Sequence, residues 1–410
     1  MPISISNPLK TCYRKPAGER TNPKTPPKKD NFQSGKERTT WCALFIPMPY
    51  LIDSHEDFSY NMLNFGRDYR RSVEETRRLE STTSIPQWNG QTLLGAAEYQ
   101  QGQVRIIFST LFLSPRDQNT PAWEPLSYPD FSTFRKLTHD QIDAYERLWD
   151  QSPELFAPVR HKRELHRVLN TWEQTNTPSL PHPTGMVMLI EGAEGISNPA
   201  ELEEYWHRGV RMIGLVWGGG RLCGGTRNPG KFTSEGLAFL DVMAEYGFTL
   251  DISHMSEESA LEALDRYEGP VAATHANARA LLRTDPRQRH LSDIVIRQLV
   301  ERDGVMGVIP FNHFLNPDWS PSDPRESIRL EHLAAHIDHV CQLAGNSHHV
   351  GIGTDFDGGF GYPAVPLEIN TIADLQKLDP ILQQRGYSPE DVQNILGANW
   401  LRHLERTLPA

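Results

Sequence analysis

No CxxC pair occurs in the 410 residues; the four cysteines, Cys12, Cys42, Cys223 and Cys341, stand far apart. That spacing excludes a zinc knuckle or a dithiol redox site and reads as reduced thiols in a cytoplasmic protein. No apolar run reaches the roughly 18 residues of a membrane helix. The C-terminus, Arg406-Thr407-Leu408-Pro409-Ala410, lacks the hydrophobic tail of a lipid-anchor signal, so no membrane anchor is expected. Positive charge is also in short supply. Lys and Arg number 41 against 52 Asp and Glu, a net charge of −11. Such a balance argues against nucleic acid and anionic membranes and favours small-molecule partners. There is no GxSxG, GxGxxG or GxxxxGK[ST] sequence, which leaves serine hydrolysis and phosphate cradling without support. Gly218-Gly219-Gly220 and Gly224-Gly225-Thr226 read as a flexible rim loop instead.

What the chain does have is a hydrophobic content of 38%, enough for a sizeable core. Residues 1–40 are basic and proline-containing, without apolar periodicity, so 1–47 reads as a disordered tail, and Met48 is a candidate translation start. From 48 to 410 a single domain is expected. Short apolar runs recur at Tyr50–Asp53, Val104–Leu113, Met186–Ile190, Met212–Val216, Phe248–Ile252, Val271–Ala273, Val305–Ile309 and Val350–Gly353. Continuous apolar runs fit strands buried on both faces. Helical spacing separates most of them, including Gln91–Gln101, His139–Trp149, Val159–Trp172, Ser234–Tyr246 and Glu257–Tyr267. Eight βα units predict an α/β fold, a (β/α)8 TIM barrel of the metal-dependent hydrolase type. The last two helices, Pro389–Leu396 and Ala398–Leu408, are expected on its outside.

Function in such a barrel sits at the carboxyl ends of the strands. Those ends carry His55 and Asp57 after strand one, Glu191 after strand three, His254 after strand five, His275 after strand six and Asp355 after strand eight. If strand one persists through the pair, its period of two puts His55 and Asp57 on one face. Each residue alone suits a helix cap or a satisfied core histidine. Together, imidazoles and carboxylates without thiolate point to divalent cations, zinc first, with manganese or cobalt as substitutes. Two such ions, bridged by Glu191, can clamp a hydroxide and polarise a carbonyl, with Asp355 left to carry the proton. Asp357 reads as a supporting partner. His332, His336 and His339 share a helix face and read as surface or packing residues away from the site.

These residues resemble the membrane (renal) dipeptidase family of metallopeptidases, in the amidohydrolase superfamily. The matching blocks include Ile52-Asp53-Ser54-His55-Glu56-Asp57, Ile190-Glu191-Gly192, Leu250-Asp251-Ile252-Ser253-His254, Thr274-His275, Arg289-His290-Leu291-Ser292-Asp293, Gly351-Ile352-Gly353-Thr354-Asp355-Phe356-Asp357-Gly358 and Gly397-Ala398-Asn399-Trp400. The resemblance implies a zinc-dependent dipeptidase. In it His55 and Asp57 hold one zinc, His254 and His275 the other, and Glu191 bridges. Asp355 transfers the proton, and Arg289 binds the substrate's free carboxylate, which its planar fork matches. A homodimer is compatible with this reading. One position departs from the family, which usually has a histidine or similar polar residue after strand four, where this chain has Leu215-Val216-Trp217-Gly218-Gly219-Gly220-Arg221. Polarising the carbonyl then falls to Arg221, to the Trp217 indole N–H, or to the metals alone, and Trp217 equally suits rim packing. The alternatives are a related amidohydrolase acting on another amide or ester, such as an N-acyl amino acid or a lactone, and a non-catalytic metal-binding scaffold.

Overall fold

The structure, a computed structural model, describes residues 49–173, 182–282 and 289–410; the expected tail over 1–47 lies outside them. Eight parallel strands line up as β1 (Leu51–Glu56), β2 (Val104–Phe112), β3 (Thr184–Glu191), β4 (Val210–Gly214), β5 (Thr249–Asp251), β6 (Val271–Ala272), β7 (Met306–Val308) and β8 (Val350–Ile352). The sheet order is β7-β8-β1-β2-β3-β4-β5-β6. A parallel bridge between Ala273 and Met306 joins its two edges, so the sheet is nearly closed into the expected barrel. Every residue of β1 and β3 is buried, as the continuous apolar runs require.

Helices alternate with the strands and begin at side-chain caps. Asp130 accepts from Thr133 N at 2.7 Å ahead of Phe131–Gln151, and Thr233 accepts from Gly236 N at 3.1 Å ahead of Ser234–Tyr246. Three differences from the sequence reading matter for the site. The helix expected over 91–101 is confined to Ala96–Gln101, because the stretch before it is spent on tertiary bonds: Gln91 pairs with Tyr362 and Leu93 N donates to Asp357. A helix absent from the sequence reading, Phe58–Phe65, starts directly after Asp57. The last helix, Asn399–Thr407, does not lie on the outside. Its Trp400 packs edge-on to Phe108 at 5.2 Å in a cluster with Ile52, Val187, Leu189 and Met212. Its His403 reaches Thr249 at the start of β5. The barrel is therefore plugged at its amino end and open at its carboxyl end.

Candidate metal centre

His55 does not reach the site by simple strand pleat. The pairing of β1 with β2 slips between Asp53 and Glu56, a bulge that re-aims the chain at Ser54-His55. The strand ends at Glu56, and Asp57 is the N-cap position of the following helix, with φ −91° and ψ 55°. Bulge and helix start together, rather than a period of two, bring both side chains to one point.

There they meet residues from four other strands. His55, Asp57 and Glu191 place one ligand atom each within 4.8 Å of one another, and so do Glu191, His254 and His275; His55, His275 and Asp355 make a third such group. Glu191 divides its oxygens between the first two. Its Oε2 lies 3.3 Å from His55 Nε2, while Oε1 lies 2.9 Å from His254 Nε2 and 3.3 Å from His275 Nε2.

The far nitrogens show which face of each ring is available. Thr274 Oγ1 donates to Asp251 Oδ2 at 2.5 Å, which uses its only proton. It must therefore accept from His275 Nδ1 at 2.9 Å and from His55 Nδ1 at 3.2 Å. Both rings are thereby set as Nδ1–H tautomers with Nε2 lone pairs turned inward. The Nε2 atom of His254 stands only 3.0 Å from that of His275. Converging lone pairs beside carboxylates suit a cation, so the donor set fits divalent metal.

The electrostatics agree. Burial pushes His55 toward the neutral form, but Glu191, Asp57 and Asp355 outweigh it and raise its pKa to about 9, the mark of a point where positive charge is favoured. Burial and Arg289 hold His254 down at about 4, and burial with the His55 and Arg289 charges holds His275 well below the usual imidazole range. Burial raises Asp57 to about 7, aided by Glu191. Asp355 is pushed well above the usual carboxylate range by burial and by Asp57 and Glu191. That carboxyl is a group able to hold and release a proton.

Asp355 stands on strained backbone at φ +57°, with Asp357 at +63°. Asp357 secures the turn: it pairs with Arg67 at 3.0 Å and accepts from Tyr69, Thr92 and Leu93 N, away from the ligand cluster. Gly358 is small for a reason. A Cβ there would fall 2.2 Å from Asp355 Oδ1 and 2.5 Å from Asp57 Oδ2. Asp53 and Asp251 act alike, each accepting both the backbone N–H and the hydroxyl of a threonine that directly precedes a site residue, Thr354 before Asp355 and Thr274 before His275.

Arg289 is buried beside the cluster. Its guanidinium donates to the carbonyls of Ser253 and His275 at 3.1 and 3.0 Å. The segment carrying it is pinned by Asn277, bonded to Ile309 and His290, and by His336, whose Nδ1 accepts from Ala278 N at 3.1 Å. His336 thus belongs beneath the site's own loop rather than at the barrel's opposite end. Sequence reasoning gave no role to Thr274 or Asn277; the only signal for the first was its place before His275.

A cavity of about 1050 Å³ opens over the cluster and is lined by Asp57, Glu191, Trp217, His254, Arg289 and Asp355, among others. Trp217 stands in its wall, 5.2 Å from the Phe112 ring and 6.2 Å from the His254 ring. Arg221 does not reach the cavity. Its guanidinium is spent on the carbonyls of Glu194, Ile196 and Ser197 and on Glu235, so the substrate role considered for it is replaced by a loop-fastening one. No helix among the described residues is long and apolar enough to cross a membrane.

The chain is similar to known proteins in sequence and in fold. The chain is 26% identical to an uncharacterized dipeptidase of Schizosaccharomyces pombe over 90% of its own length and 84% of that protein's. It is 26% identical to dipeptidase aclJ of Aspergillus oryzae, over 86% of this chain and 77% of that one. In fold it matches a Rhodobacter sphaeroides metallopeptidase liganded with a phosphinate mimic of the dipeptide L-Ala-D-Ala, with a TM-score of 0.69 at 22% identity, covering 88% of this chain and all of the other. The family model of membrane dipeptidase, peptidase family M19, matches residues 46–408, and the chain belongs to that family of metallo-dipeptidases.

Proposed function

We propose that the protein hydrolyses dipeptides at a binuclear zinc centre, with His55 and Asp57 on one ion, His254 and His275 on the other, and Glu191 bridging. The observation that carries this reading is the division of Glu191, one oxygen toward His55 and the other toward His254 and His275. When bound, the ions supply Lewis acidity, acidifying a water and polarising the scissile carbonyl. The chain's own groups do the rest. Arg289 holds the substrate's terminal carboxylate. Asp355 takes a proton from the attacking water as its oxygen bonds to the carbonyl carbon, then hands it to the amine nitrogen as the C–N bond breaks. Trp217 and Phe112 wall the cavity and exclude water from one side.

The test is metal stoichiometry with activity. Chelator-stripped protein titrated with zinc should regain hydrolysis of a dipeptide panel, including D-residues at the second position, in proportion to two ions per chain. A stripped protein that remains active, or full activity at one ion, overturns the binuclear reading.

A further inference from the structure

The glycine-rich segment after β4 is a packed structure rather than a flexible rim. Gly225 N donates to Asn228 O at 2.9 Å, and the N–H groups of Arg227 and Asn228 both donate to Gly218 O at 3.0 and 3.1 Å. Its glycines let the two legs touch. At Gly219, where φ is +106°, a Cβ would sit 2.5 Å from Gly225 N and 2.7 Å from Asn228 O. Thr226 Oγ1 ties the segment to the carbonyl of His254, a member of the ligand cluster. What this framework presents is Arg227, with its guanidinium carbon 4.3 Å above the centre of the Trp217 ring.

Arg227 lines the cavity, and its guanidinium makes no hydrogen bond or ion pair with any described residue. Stacking leaves the in-plane N–H donors of a guanidinium free. The cavity's outlying acids are already engaged: Glu124 accepts from Tyr60 and Ser114 at 2.9 and 2.8 Å, and Asp117 closes its own turn through Asn119 N. The Trp217 ring is thus a neighbour of both groups, 4.3 Å from the Arg227 guanidinium carbon and 6.2 Å from the His254 ring, which sets Arg227 in the same cavity as the His254 end of the cluster. Trp217 itself occupies the position where polarity was expected from the family and serves as the platform that holds this charge.

We infer that Arg227, laid on Trp217, makes the site selective for dipeptides carrying a second carboxylate on a side chain, that of Asp or Glu. This rests on the dipeptidase reading above. The fork of five N–H donors matches a carboxylate bidentately, and an aromatic shelf fixes its plane before the substrate arrives.

The experiment is a kinetic comparison of isosteric pairs with zinc-loaded protein: Ala-Glu against Ala-Gln, and Glu-Ala against Gln-Ala. In one of the two orders the acidic member should have the higher kcat/KM by about tenfold, and the ratio should shrink as salt is raised. Arg227→Gln should bring that ratio to about one, and Arg227→Glu should turn the preference toward Ala-Lys or Lys-Ala. Acidic members that are no better than their amides, or a preference unmoved by Arg227→Gln, overturn the inference and leave the dipeptidase reading intact. Failure of the zinc-loaded protein on every dipeptide overturns both.

Discussion

Thr274→Val removes a single hydroxyl at near-constant volume, and the structure sets what that should do. The hydroxyl accepts from His55 on one side of Glu191 and from His275 on the other, and donates to Asp251. Without it neither imidazole has its proton held at Nδ1, so each must be oriented at the expense of metal binding. Loss of such a partner typically lowers metal affinity about 10- to 100-fold, or about 1.4 to 2.7 kcal/mol. Because one hydroxyl serves a ligand in each group, both ions should be weakened together. Asp251 Oδ2 also loses its hydroxyl donor in a buried setting, which should lower the stability of the metal-free protein by about 1 to 3 kcal/mol. Zinc affinities from competition with a chromophoric chelator, with thermal unfolding of the stripped protein, separate the two effects. Thr274→Ser should restore affinity. If both zinc affinities of the valine variant stay within twofold of wild type while its stability falls, the threonine is a packing residue and the tautomer argument is wrong.

Asp355→Asn keeps the shape of the turn but cannot shuttle a proton, so kcat should fall about 10²- to 10⁴-fold while two zinc ions are retained; loss of metal in parallel would recast Asp355 as a ligand. Gly358→Ala puts a methyl group against Asp355 and Asp57, and should weaken zinc binding and activity together, as read by metal content after dialysis. His336 and His403 are held at about 3 by burial, against about 6.5 in the unfolded chain. The unfolded state therefore binds more protons between pH 3 and 6.5, and the stability present above 6.5 falls as pH drops through that window, by about 1.4 kcal/mol per pH unit for each histidine. His403→Leu should reduce the slope of unfolding free energy between pH 6.5 and 5 by that amount; an unchanged slope refutes the assignment.

The sequence alone determined the barrel, because strands buried on both faces are written as short apolar runs and helices as amphipathic stretches between them. It also showed which residue types close the strands, and the residues it singled out there, His55, Asp57, Glu191, His254 and His275, converge in the fold. Strand boundaries and the helix at Phe58–Phe65 were less legible, since a bulge in β1 and the turn at Asp57 arise from pairing with β2 and leave no period in the chain. Arg221 and Arg227 show the limit most clearly. They sit in the same glycine-rich segment six positions apart, with the same side chain, and only the folded loop sends one to fasten carbonyls and the other over Trp217. Thr274 is the same case in a smaller compass. Its hydroxyl matters because Asp251, His55 and His275 come from three strands, and hydrogen bonds between residues distant in sequence are specified by the tertiary arrangement that brings donor and acceptor together.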